Sequence, residues 1–169
     1  AYGITGVALR EWQLDGGRVL PTGDVWVSGE VDTGIFASGE GTQASPYLIR
    51  TAEQLRAFAG SLNNKINYAD KYVALDADID VSDAAWTPIG GSDWAFAGTF
   101  DGRGHTISGL TVGSASAPLA LDGDNLFIGL FGVLEKTAVV RDVALRNVAF
   151  YTSYEATAYV GGIAGYLNG

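Results

Sequence analysis

Three aspartates alternate with apolar residues between Tyr72 and Val81, and they are the first residues of this chain that could do chemistry. The alternation predicts one half-buried strand with its carboxylates on the outer face, about 6.5 to 7 Å apart. Such a row could ligate Ca²⁺, which takes six to eight oxygens, if Asp83 or the Asp122/Asp124 turn supplied more. We favour a solvated acidic face and predict no metal site; the calcium candidates are Asp76, Asp78 and Asp80.

His105 is the single histidine, so a Ser/His/Asp triad would have to include it. It lies where a glycine-rich turn enters a strand, and we expect structural hydrogen bonding rather than catalysis. A polysaccharide lyase would need a basic side chain near metal-bound carboxylates. The candidates for that role are Arg103, Arg141, Asp142 and Arg146. They fall at turn or outward positions of the repeat, so we predict no catalytic residue.

Exposed aromatic side chains in a row can stack on sugars or dock a protein partner. Four aromatic residues are candidates for such a binding surface: Trp86, Trp94, Tyr151 and Tyr154. We favour the alternative, in which the tryptophans fill the core or cover a loop.

Composition excludes several classes of function. Acidic residues outnumber basic ones 19 to 10, for a formal net charge of −9, so a nucleic-acid partner is not expected. Cysteine is absent, which removes disulfides, thiolate metal sites and a cysteine nucleophile. No apolar run reaches the ~20 residues that span a membrane. We therefore predict no cofactor and no membrane span in this sequence.

Rough copies of one glycine-bounded unit start at Gly98, Gly129 and Gly162. Two apolar patterns that follow, one from Ile107 and one from Val140, match position by position when Ile107 is aligned with Val140. Periods of this size indicate stacked supersecondary units, and their β-branched and glycine-rich composition indicates strands. We expect seven apolar side chains to point inward and stack between coils: Ile107, Leu110, Val112, Phe131, Val140, Val143 and Leu145.

One helix is predicted, over about residues 51–63. Thr51 and Gln54 have the spacing of a capping box, and an apolar stripe recurs at i, i+3, i+4 and i+7. The stripe consists of Leu55, Phe58, Ala59 and Leu62. Its expected task is to cover the first coil of the β stack.

The N-terminal part of the chain forms a separate segment in this interpretation. Asp15, Gly16 and Gly17 predict a tight turn between two strands of a β-hairpin, and Val25 and Val27 predict a further strand. We divide the chain into an N-terminal strand and hairpin segment, 1–38, and a β domain, 39–169.

The chain resembles bacterial surface proteins that carry the GLUG repeat. The resemblance covers about residues 39–169 and rests on segments in the family's order: GTQASPYLIRTAEQL (41–55), ADIDVS (77–82), WTPIG (86–90), GTFDGRGHTISGL (98–110), GLFG (129–132) and VGGIAGY (160–166). It implies a right-handed parallel β-helix of the pectate-lyase-like kind in secreted or wall-attached, adhesin-like proteins. It implies no catalytic residue at any position here.

Together these observations predict an all-β protein with a non-enzymatic structural or adhesive role at the bacterial cell surface or wall. Two alternatives stay open: a module that binds or cleaves polysaccharide, and a filament subunit. We expect a glycan or host-surface protein as ligand. The last coil ends without a visible polar cap, so we also expect cover from further repeats, a neighbouring subunit or the N-terminal strands.

Overall fold

The computed structural model of the chain describes residues 12–15, 18–21, 31–62, 66–118, 126–152 and 157–169, with the backbone alone for the first two ranges. The chain divides into two compact units, Ala1–Glu30 and Val31–Gly169. The sequence-based division after Ser38 stays a prediction.

In the first unit, β1 (Trp12–Asp15) pairs antiparallel with β2 (Arg18–Pro21), and Asp15 lies opposite Arg18. This is the pairing that a two-residue hairpin turn requires. The turn itself and the strand predicted at Val25 and Val27 lie outside the described residues.

Helix α1 (Ala52–Leu62) begins where the capping pattern predicts it. The backbone N–H of Gln54 donates to Oγ1 of Thr51 at 3.2 Å, while Oε1 of Gln54 accepts from the backbone N–H of Arg50 at 2.8 Å. The return bond thus reaches one residue further back than in a capping box. The whole predicted apolar stripe is buried, so the helix prediction is confirmed: Leu55, Phe58, Ala59 and Leu62.

The rest of the described unit is built from short strands. They are β3 (Tyr47–Ile49), β4 (Tyr72–Leu75), β5 (Ile79–Asp80), β6 (Thr99–Asp101), β7 (Thr106–Ser108), β8 (Thr111–Val112), β9 (Leu126–Ile128), β10 (Phe131–Glu135), β11 (Val139–Arg141), β12 (Ala144–Arg146), β13 (Ala149–Phe150), β14 (Ala158–Val160) and β15 (Ala164–Asn168). The protein is therefore all-β with one α-helix in the part of the chain described.

In the part of the chain that the structure describes, these strands form five parallel sheets: β11-β6-β4-β3, β12-β7-β5, β13-β8, β14-β9 and β10-β15. The chain visits the sheets in one order through β6 to β10, which we call the first pass. It visits them again in the same order through β11 to β15, the second pass. Each strand of the second pass lies parallel to its counterpart in the first.

The strand predicted between Tyr72 and Val81 is two strands. β4 ends at Leu75, β5 begins at Ile79, and the two belong to different sheets. A corner between two sheets keeps the same alternation as one straight strand, because each short strand needs only to turn its apolar side inward. Pattern alone could not separate the two arrangements.

The predicted alignment of Ile107 with Val140 is wrong. Ile107 pairs with Leu145, and Val140 pairs with Phe100. The turn between the first two strands is shorter in the second pass, where Ala144 follows Arg141 closely. An alignment read from short motifs misses such differences in turn length.

Gly98 and Gly129 are not structural counterparts either. Gly98 precedes β6, which pairs with β11, whereas Gly129 precedes β10, which pairs with β15. Only the later copies correspond, because Phe131 pairs with Ala164, as aligning Gly129 with Gly162 requires.

The core is richest in aromatic rings beneath α1. The Phe58 ring contacts Phe36, Tyr68, Phe96 and Phe100, with centroid separations of 4.9 to 6.1 Å. Of the seven apolar residues predicted to point inward, four are buried: Ile107, Leu110, Val112 and Phe131. The other three are half-buried against the same core: Val140, Val143 and Leu145.

Within the described residues, no helix has the length and apolar character needed to cross a membrane.

Candidate functional site

The corner between β4 and β5 gives the three candidate calcium ligands separate partners. Oδ2 of Asp76 accepts from Nε of Arg50 at 2.6 Å, and its Oδ1 lies 3.6 Å from Nη1 of Arg103. In the described part of the chain, no three His, Cys, Asp or Glu side chains converge as a metal site would require. Asp76 is held by two arginines from other segments of the chain.

Asp83 and the Asp122/Asp124 turn were the further candidates for calcium ligands. Asp83 forms an ion pair with Arg56, at 2.7 Å between Oδ1 and Nη2, which ties the 81–83 segment to α1. The Asp122/Asp124 turn lies outside the described residues.

Asp78 and Asp80 are fixed by hydrogen bonds. Oδ1 of Asp78 accepts from the backbone N–H of Thr106 at 2.9 Å and lies 3.1 Å from Nδ1 of His105. Oδ1 of Asp80 accepts from the backbone N–H of Ser82 at 2.9 Å. The pKa of Asp78 is lowered by the Thr106 amide and then by His105, and that of Asp80 by the hydroxyl and amide of Ser82. Both carboxylates are therefore charged at neutral pH.

These two aspartates lie at one side of a groove of about 420 Å³ on the outer face of the β12-β7-β5 sheet. Ile107 of β7 points into the core, so its neighbours Thr106 and Ser108 point outward. We call this the polar groove, defined by the polar residues that line it: Asp78, Asp80, Thr106, Ser108, Arg146 and Asn147.

The register of the three strands places polar residues in a line across the polar groove. Asp80 lies opposite Ser108, and Ser108 lies opposite Arg146. Neighbouring strands are ~4.8 Å apart, so this row spans about 10 Å from a carboxylate through a hydroxyl to a guanidinium. The alternation in residues 72–81 predicted that the aspartates lie on the outer face. Only the strand register shows that Arg146 lies beside them.

Of the residues considered for a lyase, Arg103, Arg141 and Asp142 lie close together around Asp101, whereas Arg146 lies apart from them. Arg103 faces Asp76, and Arg141 pairs with Asp101 at 2.7 Å. Asp142 occupies a turn with a φ of 51°. Arg146 alone of these residues lies in the polar groove.

Trp86 is buried, with 3% of its surface exposed, and its Nε1–H donates to the carbonyl of Leu130 at 3.3 Å. It cannot belong to an exposed aromatic row, and the alternative that it fills the core is confirmed. Trp94 is half-buried, Tyr151 is 39% exposed, and Tyr154 lies outside the described residues.

A different aromatic cluster occurs on the outer side of β9, β14 and β15. Phe127 stacks on Tyr159 with centroids 5.2 Å apart, and Tyr166 contacts both rings. Sequence reasoning missed it, although Phe127 and Tyr159 each occupy the central position of an apolar triplet, in β9 and β14. The missing information was the pairing of Phe127 with Tyr159.

Comparison with known proteins gives two relatives by sequence. A protein of Evansella cellulosilytica, provisionally named Gly-rich membrane protein, is 33% identical over 138 residues, which are 81% of this chain and 15% of that protein. Halomucin of Haloquadratum walsbyi is 33% identical over an alignment 144 residues long, which covers 78% of this chain and 1% of that protein. The chain thus spans a small part of either relative. No protein-family profile matches it, and neither does a solved structure.

Proposed function

We propose that residues 39–169 form a right-handed parallel β-helix of the GLUG-repeat kind and serve as a rigid, non-enzymatic structural or adhesive module of a bacterial surface protein. The observation that carries this proposal is the order of the strands. The first and second passes visit five parallel sheets in the same sequence, which is how successive coils of a β-helix stack.

The names of the two relatives support a surface location. One is named for a membrane and the other is halomucin, and both are much longer than this chain. A stack of coils makes a long protein stiff, because each coil contacts the next one along the stack. We place the module outside the cell, at the surface or in the wall.

The strand register can be tested by disulfide formation, since the chain has no cysteine of its own. Thr106 and Ala144 are opposite each other on neighbouring strands, so Thr106→Cys with Ala144→Cys should form a disulfide under mild oxidation. Thr106→Cys with Val139→Cys is the matched control, because it follows the register in which Ile107 is aligned with Val140. A disulfide in the control pair alone would contradict the proposed stacking.

The surface role is tested on intact cells of the source organism. Antibodies against residues 39–169 should label unpermeabilised cells, and the purified protein should release no unsaturated uronate from polysaccharides. Labelling that needs permeabilised cells would contradict the location, and product formation would contradict the non-enzymatic role.

A filament is a second candidate, favoured by the exposed apolar side chains of the second pass. Val139, Val160 and Leu167 are 46%, 49% and 68% exposed. Strand edges with such side chains pair readily with further β-structure. Light scattering of the intact chain and of a variant lacking residues 1–31 should then show a smaller assembly for the variant. An unchanged mass and melting temperature would exclude this role of the N-terminal strands.

A further inference from the structure

Arg146 differs from the other arginines whose side chains are described. Arg50, Arg56, Arg103 and Arg141 each pair with an aspartate. Arg146 has no ion pair among the described residues, although it lies exposed beside two carboxylates in the polar groove. Its guanidinium carries five N–H donors, attracts the charge of Asp78, and makes no hydrogen bond to another described side chain.

The acceptors on the other side of the polar groove are already held in place. The Thr106 amide fixes Asp78, whose side chain remains 74% exposed, and the Ser82 amide fixes the exposed Asp80. Groups that are ordered before binding lose less conformational entropy when a ligand arrives. The polar groove thus combines fixed acceptors with an exposed donor, Arg146, across about 10 Å.

The charges in the polar groove restrict the class of ligand. A Ca²⁺ ion needs six to eight oxygens, but two carboxylates supply few of them and Arg146 repels a cation. An anion would meet two ionised aspartates. An uncharged polyol meets neither penalty, because its hydroxyls donate to carboxylates and its oxygens accept from N–H groups.

We propose that the polar groove binds an uncharged oligosaccharide, with Asp78 and Asp80 accepting hydrogen bonds from sugar hydroxyls and Arg146 donating to sugar oxygens. Ser108 lies between them in the register and offers a hydroxyl to the same sugar. This adds a recognition site to a module whose structural role does not require one. Failure of this inference would leave that role unaffected.

The experiment uses the intact chain on a printed array of uncharged and uronate-containing oligosaccharides, followed by calorimetric titration with the uncharged sugar that binds most strongly. Arg146→Met and Asp80→Asn should each weaken binding at least about tenfold, since each changes a hydrogen bond to a charged group. Met keeps the apolar stem of Arg146, and Asn keeps an oxygen for the Ser82 amide.

Two controls make the same charge changes outside the polar groove. Lys136→Met and Asp93→Asn alter exposed residues, and both should keep the affinity within about twofold. Melting temperatures establish that each variant is folded. If Asp80→Asn is unfolded, the affinity of Arg146→Met alone tests the proposal. Binding to uronate sugars alone, binding to no sugar, or equal loss in the controls would overturn the proposal.

Discussion

At one end of the Val31–Gly169 unit, α1 covers a core of aromatic rings, whereas at the other the second pass leaves its apolar side chains half exposed. Phe58 of α1 is wholly buried, and the inward residues of the second pass are only partly buried against the same core. Among the described residues, α1 packs over the first region, whereas β11 to β15 each pair with a single strand, from the first pass.

This contrast indicates that stability is unevenly distributed through the unit. Strands with few buried contacts and unpaired edges open at lower free energy than strands inside a sheet. β6 has neighbours on both sides, β11 and β4, whereas β11 has a strand on one side only among the described residues. We therefore expect the second pass to be the first part to unfold.

The largest expected effect is at Phe58. Phe58→Ala should lower the free energy of unfolding by about 3 to 5 kcal/mol, because a large buried side chain leaves a cavity among four aromatic rings. Phe150→Ala, the matched change in the second pass, should cost less than about 2 kcal/mol, since Phe150 is only half-buried. Urea denaturation measures both losses, and equal losses would contradict the expected difference in stability between the two regions.

A smaller difference is expected within one sheet. Ile107 and Leu145 are opposite each other in β7 and β12, but Ile107 is 0% exposed and Leu145 is half-buried. Ile107→Ala should cost about 2 to 4 kcal/mol, and Leu145→Ala about half as much. Thermal and urea unfolding measure both losses, and because the two residues face each other in one sheet, burial is the main difference between them. A larger loss at Leu145 would contradict it.

The smallest effect concerns the ion pair that joins the two passes, Asp101 with Arg141. Burial alone would raise the pKa of Asp101, but the Arg103 amide and the Arg141 guanidinium outweigh it and lower that pKa. A lowered folded-state pKa stabilises the fold above the ordinary value near 4, and this contribution is lost as the pH falls through the folded-state pKa. Because Arg141 is half exposed, solvent screens the pair and the contribution is small.

Asp101→Asn should therefore destabilise the protein slightly at pH 7, and the gap from the parent chain should close on acidification below the ordinary pKa. Thermal unfolding between pH 7 and pH 2.5 measures the gap, with Asp93→Asn as the control. A gap that persists unchanged at the lowest pH would show that the aspartate acts through packing rather than charge.

Local patterns in the sequence predicted local structure well. The stripe in α1 depends on residues within one helix, so spacing alone identified its buried face, and the Thr51 cap supported its start. The inward positions of Ile107 in β7 and Val112 in β8 followed from the repeated apolar pattern, and both side chains are buried. Trp86 shows the limit, because nothing in its neighbourhood distinguishes a core position from a surface one.

The all-β class, helix α1 and the inward direction of its apolar residues can be predicted from sequence, because propensity, capping and periodicity act over a few neighbouring bonds. Which strands lie side by side depends on contacts between residues far apart in the chain. Turn lengths differ between the two passes, so Ile107 meets Leu145 instead of the residue that motif spacing selects. The polar groove follows from that register, since the pairing across β5, β7 and β12 brings Asp80, Ser108 and Arg146 onto one face.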